Sequence, residues 1–145
     1  MRVLLQRVTR AHVEVAGDAV GSIGAGLVAL VGVGREDNED TARRLAGRVA
    51  GYRMFNDHQG KMNLDIREVD GAALVVSQFT LAADTRKGRR PGFSGAAAPD
   101  RGACLYEIFV AALGEQGIPV ATGRFGADMQ VHLVNDGPVT FVLDM

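Results

Sequence analysis

The chain closes on VHLVNDGPVTFVLDM, two strand-like apolar runs with Asn135-Asp136-Gly137-Pro138 set between them. Proline has no N–H to give to a β-ladder, so within a sheet it belongs on an edge strand, at a first strand position or in a bulge. Gly137-Pro138 therefore bars a central strand at this point and leaves a turn or an interrupted edge. The plain reading is a trans turn between two strands, and the dipeptide alone does not decide.

The rest of the chain reads in the same alphabet. MRVLLQRV, AHVEVAG, AVGSIG and GLVALVGVG are strand-like runs separated by Gly17-Asp18, Gly24 and Gly26, which predicts three or four consecutive, mostly antiparallel strands. From Asp37 the period changes. Asp37 or Asn38 can cap a helix whose first turn carries Glu39 and Asp40, and Ala42, Leu45, Ala46, Val49 and Ala50 form its apolar stripe, with Gly51 marking the end. Residues 52–66 read as a strand, an Asn-Asp-His-Gln-Gly turn and a returning strand. AALVVSQFTL (72–81) begins as a buried strand and turns polar at Ser77-Gln78. A second helix is predicted over Asp100 to Gln116, with Leu105, Ile108, Phe109, Ala112 and Leu113 on one side and Gly117-Ile118-Pro119 as its stop. Strands predominate, two helices fall at separate points, and no repeat or linker divides residues 1–145. The expected fold class is α+β, mostly antiparallel, in one domain with helices covering a sheet.

Composition narrows the function. A formal net charge of −1 gives no global attraction to nucleic acid, so an RNA partner would need a local basic patch. Cys104 is the only cysteine, which rules out an intrachain disulfide and suits a reducing compartment. No apolar run reaches the roughly 18 residues of a membrane span, and the first residues lack a signal peptide's pattern. A cytoplasmic location is expected. GVGRED has neither a dinucleotide fingerprint nor a phosphate-loop Lys-Ser/Thr pair, so no cofactor is expected. His12, His58 and His132 are scattered, without metal-ligand spacing, and no metal site is expected.

Two stretches remain that can carry chemistry. In SQFTL (77–81), strand alternation would put Ser77, Phe79 and Leu81 on one face and Gln78 and Thr80 on the other. Backbone N–H groups where such a strand ends could form an oxyanion hole, whereas Thr80 as a nucleophile would need a base that the sequence does not name. TRKGRRP then sets Arg86, Lys87, Arg89 and Arg90 directly after this strand end, the only dense basic cluster in the chain and a fair phosphate contact.

Together, SQFTL and NDGPVT (135–140) resemble the D-aminoacyl-tRNA deacylases. The likeness extends over MRVLLQRVTRAHVEV, GKMNLD (60–65), DTRKGRRPGF (84–93) and FGADMQVHLVNDGPVT (125–140), with Asp65 and Gly92 standing where serine is expected. The resemblance implies a three-layer β-β-α fold and a homodimeric editing hydrolase that cleaves the ester of D-aminoacyl-tRNA, with the active site at the subunit interface. It implies that the Gly137-Pro138 bond is cis and that this dipeptide enters the other subunit's pocket. By the same likeness, Ser77, Gln78, Phe79 and Thr80 line the pocket, Arg7 braces the Gly-Pro loop, and the tRNA's own ribose 2′-hydroxyl helps to activate water. Phe79 and Thr80 would then act through their backbone N–H groups.

Rejection of L-residues would be steric. Fixed backbone carbonyls leave room for a hydrogen but not for an L side chain, so many D side chains, and glycine on a mischarged tRNA, would be accepted. Arg86, Lys87, Arg89 and Arg90 would hold acceptor-end phosphates. Phe125 and Met129 would pack near the terminal adenosine or in the core. Neither DNA nor a membrane is an expected partner. Two other readings stay open on the residues alone: a non-catalytic RNA-binding module using the basic loop, and a threonine hydrolase acting on small esters.

Overall fold

The structure, a computed structural model, describes residues 1–145. Strand β1 (Arg2–Val15) is its spine. A two-residue turn at Ala16-Gly17, both at positive φ, returns the chain as β2 (Asp18–Ile23), and β3 (Gly26–Gly32) continues along the same edge of β1. Positive φ at both central residues is what a right-twisted two-residue hairpin requires. Helix α1 (Glu39–Ala50) follows, capped by the Asn38 side chain, which accepts from the Thr41 N–H at 2.9 Å. Asp37, the other candidate cap, instead accepts from the Gly34 N–H and closes the preceding turn.

A small hairpin, β4 (Phe55–Asn56) with β5 (Met62–Leu64), leads to β6 (Ala72–Ser77). After a 3₁₀ turn (Phe79–Ala82) and a long loop come α2 (Pro99–Glu115), β7 (Val120–Thr122) and β8 (Gln130–Asp144).

The main sheet is mixed, which corrects the mostly antiparallel expectation. β1 runs antiparallel to β2, β3 and β8, but β6 is parallel to both β3 and β7. The cause is connectivity. Each parallel pair is joined through a helix, α1 between β3 and β6 and α2 between β6 and β7, and parallel neighbours need such a crossover. Continuous apolar sequence in β3 and β6 fits strands buried on both faces.

One face of the sheet packs on both helices through Val3, Leu5, Leu27, Val31, Leu45, Val75, Phe109 and Leu113. The other curls over a smaller cluster of Val8, Ala11, Val13, Ile23, Val28, Leu74 and Val76. β1 serves both because its register shifts around Val8–Arg10. Odd-numbered residues face the helices before the shift and the smaller cluster after it, as a one-residue slip demands. The sheet nearly closes where β2 meets β7, and a Cβ on Gly21 would lie 2.2 Å from the Thr122 carbonyl oxygen. No helix is long and apolar enough to cross a membrane.

The last strand departs most from expectation. β8 is one strand, not two, and it lies on the sheet's edge, pairing only with β1. Its ladder stops at Val8–Asn135 and resumes at Gln6–Thr140, so residues 136–139 bulge out opposite Arg7. The proline thus sits at a bulge on an edge strand.

Closure at Gly21 gives the fold its first test. Gly21→Ala forces β2 away from β7 and should cost about 1–3 kcal/mol of stability. Gly47→Ala, on the exposed face of α1 with nothing within 4 Å of the added Cβ, should gain about 0.5–1 kcal/mol. Urea unfolding midpoints of the two variants should move in opposite directions.

Candidate active site

The C-terminal ends of β3 and β6 open onto an apolar cavity of about 270 Å³. Val31, Val33 and Ser77 form its floor, Ala97, Pro99 and Gly102 bring in the start of α2, and Phe79, Phe125 and Gly126 complete the rim. Phe79 is 58 % exposed, tilted against Phe93 with ring centroids 5.1 Å apart. Phe125 packs on Tyr106 at 5.9 Å. The Tyr106 hydroxyl donates to the Val75 carbonyl at 2.7 Å and so ties α2 to β6 two residues before Ser77. Burial pushes this phenol up to about 12, with Glu107 adding to the shift.

Beyond Ser77 the expected strand alternation fails. The Gln78 N–H still donates to the Val31 carbonyl, but the chain then coils into the 3₁₀ turn. The turn sits directly over the backbone of Gly32, where a Cβ would come within 2.8 Å of Leu81 Cβ and 3.1 Å of the Gln78 oxygen. Ser77, Phe79 and Leu81 therefore do not share a strand face: Ser77 and Phe79 line the cavity, and Leu81 lies in a neighbouring cleft.

The turn has a chemical consequence. Its first internal hydrogen bond runs from the Leu81 N–H to the Gln78 carbonyl. The N–H groups of Phe79 and Thr80 precede that bond and have no partner within the turn. Two adjacent free donors beside an apolar cavity are the elements of an oxyanion site. The Thr80 hydroxyl accepts from the Gln78 side-chain amide, and no imidazole or carboxylate hydrogen-bonds to it.

A larger cleft, of about 720 Å³, runs from this turn toward the basic loop, lined by Arg2, Leu81, Ala82, Asp84, Arg86 and Ser94 among others. Arg86 is held by Asp84 through two bonds of 2.9 and 2.8 Å, and this guanidinium keeps the Asp84 carboxyl well below the usual carboxylate range. Lys87, Arg89 and Arg90 are exposed and make no ion pair.

The Gly-Pro loop lies elsewhere. The Gly137–Pro138 peptide is cis, with Gly137 at φ 125, and both residues are exposed. Arg7 is buried behind them. Its guanidinium donates to the carbonyls of Asp136 at 3.2 Å and Met54 at 3.1 Å, and to Asn56 Oδ1 at 3.4 Å. Asn135 closes the loop from its own side by accepting from the Val139 N–H and donating to Thr140 Oγ1. Neither Gly137 nor Pro138 lines the cavity of the same chain.

Met129 does not reach the cavity either. Its sulfur accepts from the Arg124 N–H, covers Gly123 and packs on the smaller sheet cluster. Gly102, Ala97 and Gly126 in the cavity wall were not expected. For Ala97 and Gly102 the only sequence signal is the entry into α2, where small residues leave room, and Gly126 lies in the turn between β7 and β8 within the FGADMQVHLVNDGPVT stretch.

A family model described as D-Tyr-tRNA(Tyr) deacylase matches residues 4–144. The chain belongs to this family. Proteins named D-aminoacyl-tRNA deacylase from Salmonella enteritidis and Citrobacter koseri are each 59 % identical to it over 145 residues, the full length of both chains. Among solved structures, a c-Myc DNA unwinding element binding protein superposes with a TM-score of 0.94 at 35 % identity, over 100 % of this chain and 99 % of that one. A probable eukaryotic D-amino acid tRNA deacylase shares the fold, with a TM-score of 0.83 at 22 % identity over 99 % and 98 %.

The Tyr106 contact gives this region a pH signature. Its folded-state pKa lies above the ordinary phenol value, so the neutral form stabilises the fold below pH about 10. That contribution drains away as pH rises toward about 12. Tyr106→Phe should lose about 1 kcal/mol at neutral pH. Its stability should also fall less than the parent's between pH 10 and 12, as read by denaturant titration.

Proposed function

We propose that this protein is a D-aminoacyl-tRNA deacylase that hydrolyses the ester between a D-amino acid and the terminal ribose of tRNA, releasing free amino acid and tRNA. The observation that carries the chemistry is the pair of free N–H groups at Phe79 and Thr80 beside the cavity. When water adds to the ester carbonyl, the oxygen becomes an oxyanion and accepts from these donors. Each such donor is worth about 3–4 kcal/mol in the transition state. Water is the nucleophile in this reading, because nothing beside Thr80 can take its hydroxyl proton. The ribose 2′-hydroxyl next to the scissile bond orients that water, and Ser77, Gln78 and Phe125 shape the pocket around the ester and the terminal base.

Chirality is read by the Gly-Pro loop of a second copy of the chain. Arg7 and Asn135 fix the loop's backbone from two sides, and within its own chain it is exposed and lines neither the cavity nor the cleft. The long edge of β8 exposes Val131, Val134 and Val142, a surface that a second copy would cover. A homodimer with composite sites follows. The loop's carbonyls crowd the substrate Cα so that an L side chain has no room, while a D side chain points away and glycine is admitted. Acceptor-end phosphates run along the cleft to Lys87, Arg89 and Arg90, with Arg86 contributing less because Asp84 already holds it. A tRNA-editing enzyme of this kind works in the cytoplasm.

Purified protein incubated with matched D-, L- and glycyl-tRNA should release D-amino acid and glycine and leave the L-ester intact. Thr80→Ala should keep most of this activity, because the backbone donor remains. Loss of several orders of magnitude would instead favour a threonine hydrolase, and retention of tRNA without ester loss would favour an RNA-binding module. Lys87→Ala and Arg89→Ala should raise KM, shrink its salt dependence and leave the D-to-L ratio unchanged, since phosphate contacts carry no stereochemical information.

A further inference from the structure

His12 and His132 lie 120 positions apart in the chain and directly opposite one another in the β1–β8 ladder. Their rings stack with centroids 4.3 Å apart and planes 6° from parallel. Glu14, two residues along β1, reaches both. Its Oε1 is 3.1 Å from His12 Nε2, and its Oε2 is 3.5 Å from His132 Nε2. One ligand atom from each of the three side chains falls within 4.8 Å of the other two. None of these residues lines the cavity or the cleft.

We propose that His12, Glu14 and His132 form a surface site for a zinc-class divalent cation that clips β8 to β1 ahead of the Gly-Pro loop. In a tetrahedral zinc site, bonds of about 2.0–2.1 Å set neighbouring ligand atoms about 3.4 Å apart. The two His–Glu separations, made by the two different Glu14 oxygens, are already close to that spacing, and a small turn of the carboxylate brings one oxygen to both. The third edge closes when the imidazoles turn out of their stack, and both side chains have the freedom to do so, at 38 % and 49 % exposed. Two imidazole nitrogens and one carboxylate oxygen select zinc, nickel or copper over magnesium or calcium. Water takes the fourth position.

A single cation at the ring edges engages all three groups at once. The clip acts on stability, because the site stands apart from the groups assigned to ester cleavage.

The test is calorimetric titration of zinc into the full chain after chelator treatment and dialysis. The parent should bind one zinc per chain. His12→Gln and His132→Gln should each weaken binding at least about tenfold, while His58→Gln should not. Zinc should raise the melting temperature of the parent and not of His132→Gln. Without zinc, the parent and these half-exposed variants should melt alike, which separates metal loss from misfolding. Glu14→Gln gives an independent third arm with the same expected weakening. No saturable binding below about 1 mM, or binding that persists in the His12/His132 double variant, would overturn the site. The outcome does not depend on deacylase activity.

Discussion

A buried guanidinium organises the part of this fold on which the proposed stereochemical reading rests. Arg7 pairs with Leu27 on β3 but has no ladder partner on β8, opposite the four residues by which that strand bulges, and it donates to three acceptors on two segments, residues 54–56 and Asp136. A planar fork with five donors can satisfy such a set; a lysine ammonium, a point charge on a flexible stem, cannot hold the same geometry. Burial makes the bond to the Met54 carbonyl the most consequential of these, because an acceptor left unpaired inside the protein is costly. The Gly-Pro loop is therefore fixed from behind and open in front. That combination suits a surface that must reject by shape.

The cavity assigned to ester cleavage in the proposed reading has no charged side chain among its lining residues. Parallel β3 and β6 end together under the first turn of α2, and the chain leaving β6 coils over Gly32, leaving two N–H groups unspent. An ester is reactive enough for this machinery. Donors aimed at a developing oxyanion lower the barrier whatever side chain stands beside them. Three histidines in the chain and none at the cavity is then no puzzle. In the proposed reading, positioning falls to the backbone, phosphate contact to the exposed side chains of the basic loop, and stereochemistry to a loop that does not line the same chain's cavity.

Local periodicity carried much of the fold into view. The α1 stripe of Ala42, Leu45, Ala46, Val49 and Ala50 is buried as its spacing predicts, and α2 runs within a residue or two of its expected bounds. Sheet order was harder to see, since which strand pairs with β6 is decided by helices packing between distant segments and not by anything within AALVVS. The β-α-β alternation was the available sign of parallel pairing. At 77–81 a strand-like pattern yielded to a close approach at Gly32, forty-five residues upstream in sequence. Met129 was taken by the hydrophobic cluster beneath it. His12 and His132 looked scattered because only the β1–β8 register brings them face to face. The roles proposed for 77–80 and 137–138 rest on resemblance more than on residue pattern.

Co-expressed pairs of defective chains test the composite site most directly. One chain carries Ser77→Phe, which fills the cavity, and the other Gly137→Val, whose added atoms meet Val139 and Arg7 within about 3 Å and displace the loop. Each variant alone should be inactive on D-aminoacyl-tRNA. Mixed dimers should recover activity, because one of their two sites pairs an intact cavity with an intact loop from the other chain. Mixed dimers that form but remain as inactive as their parents would contradict the account and return the loop to its own chain.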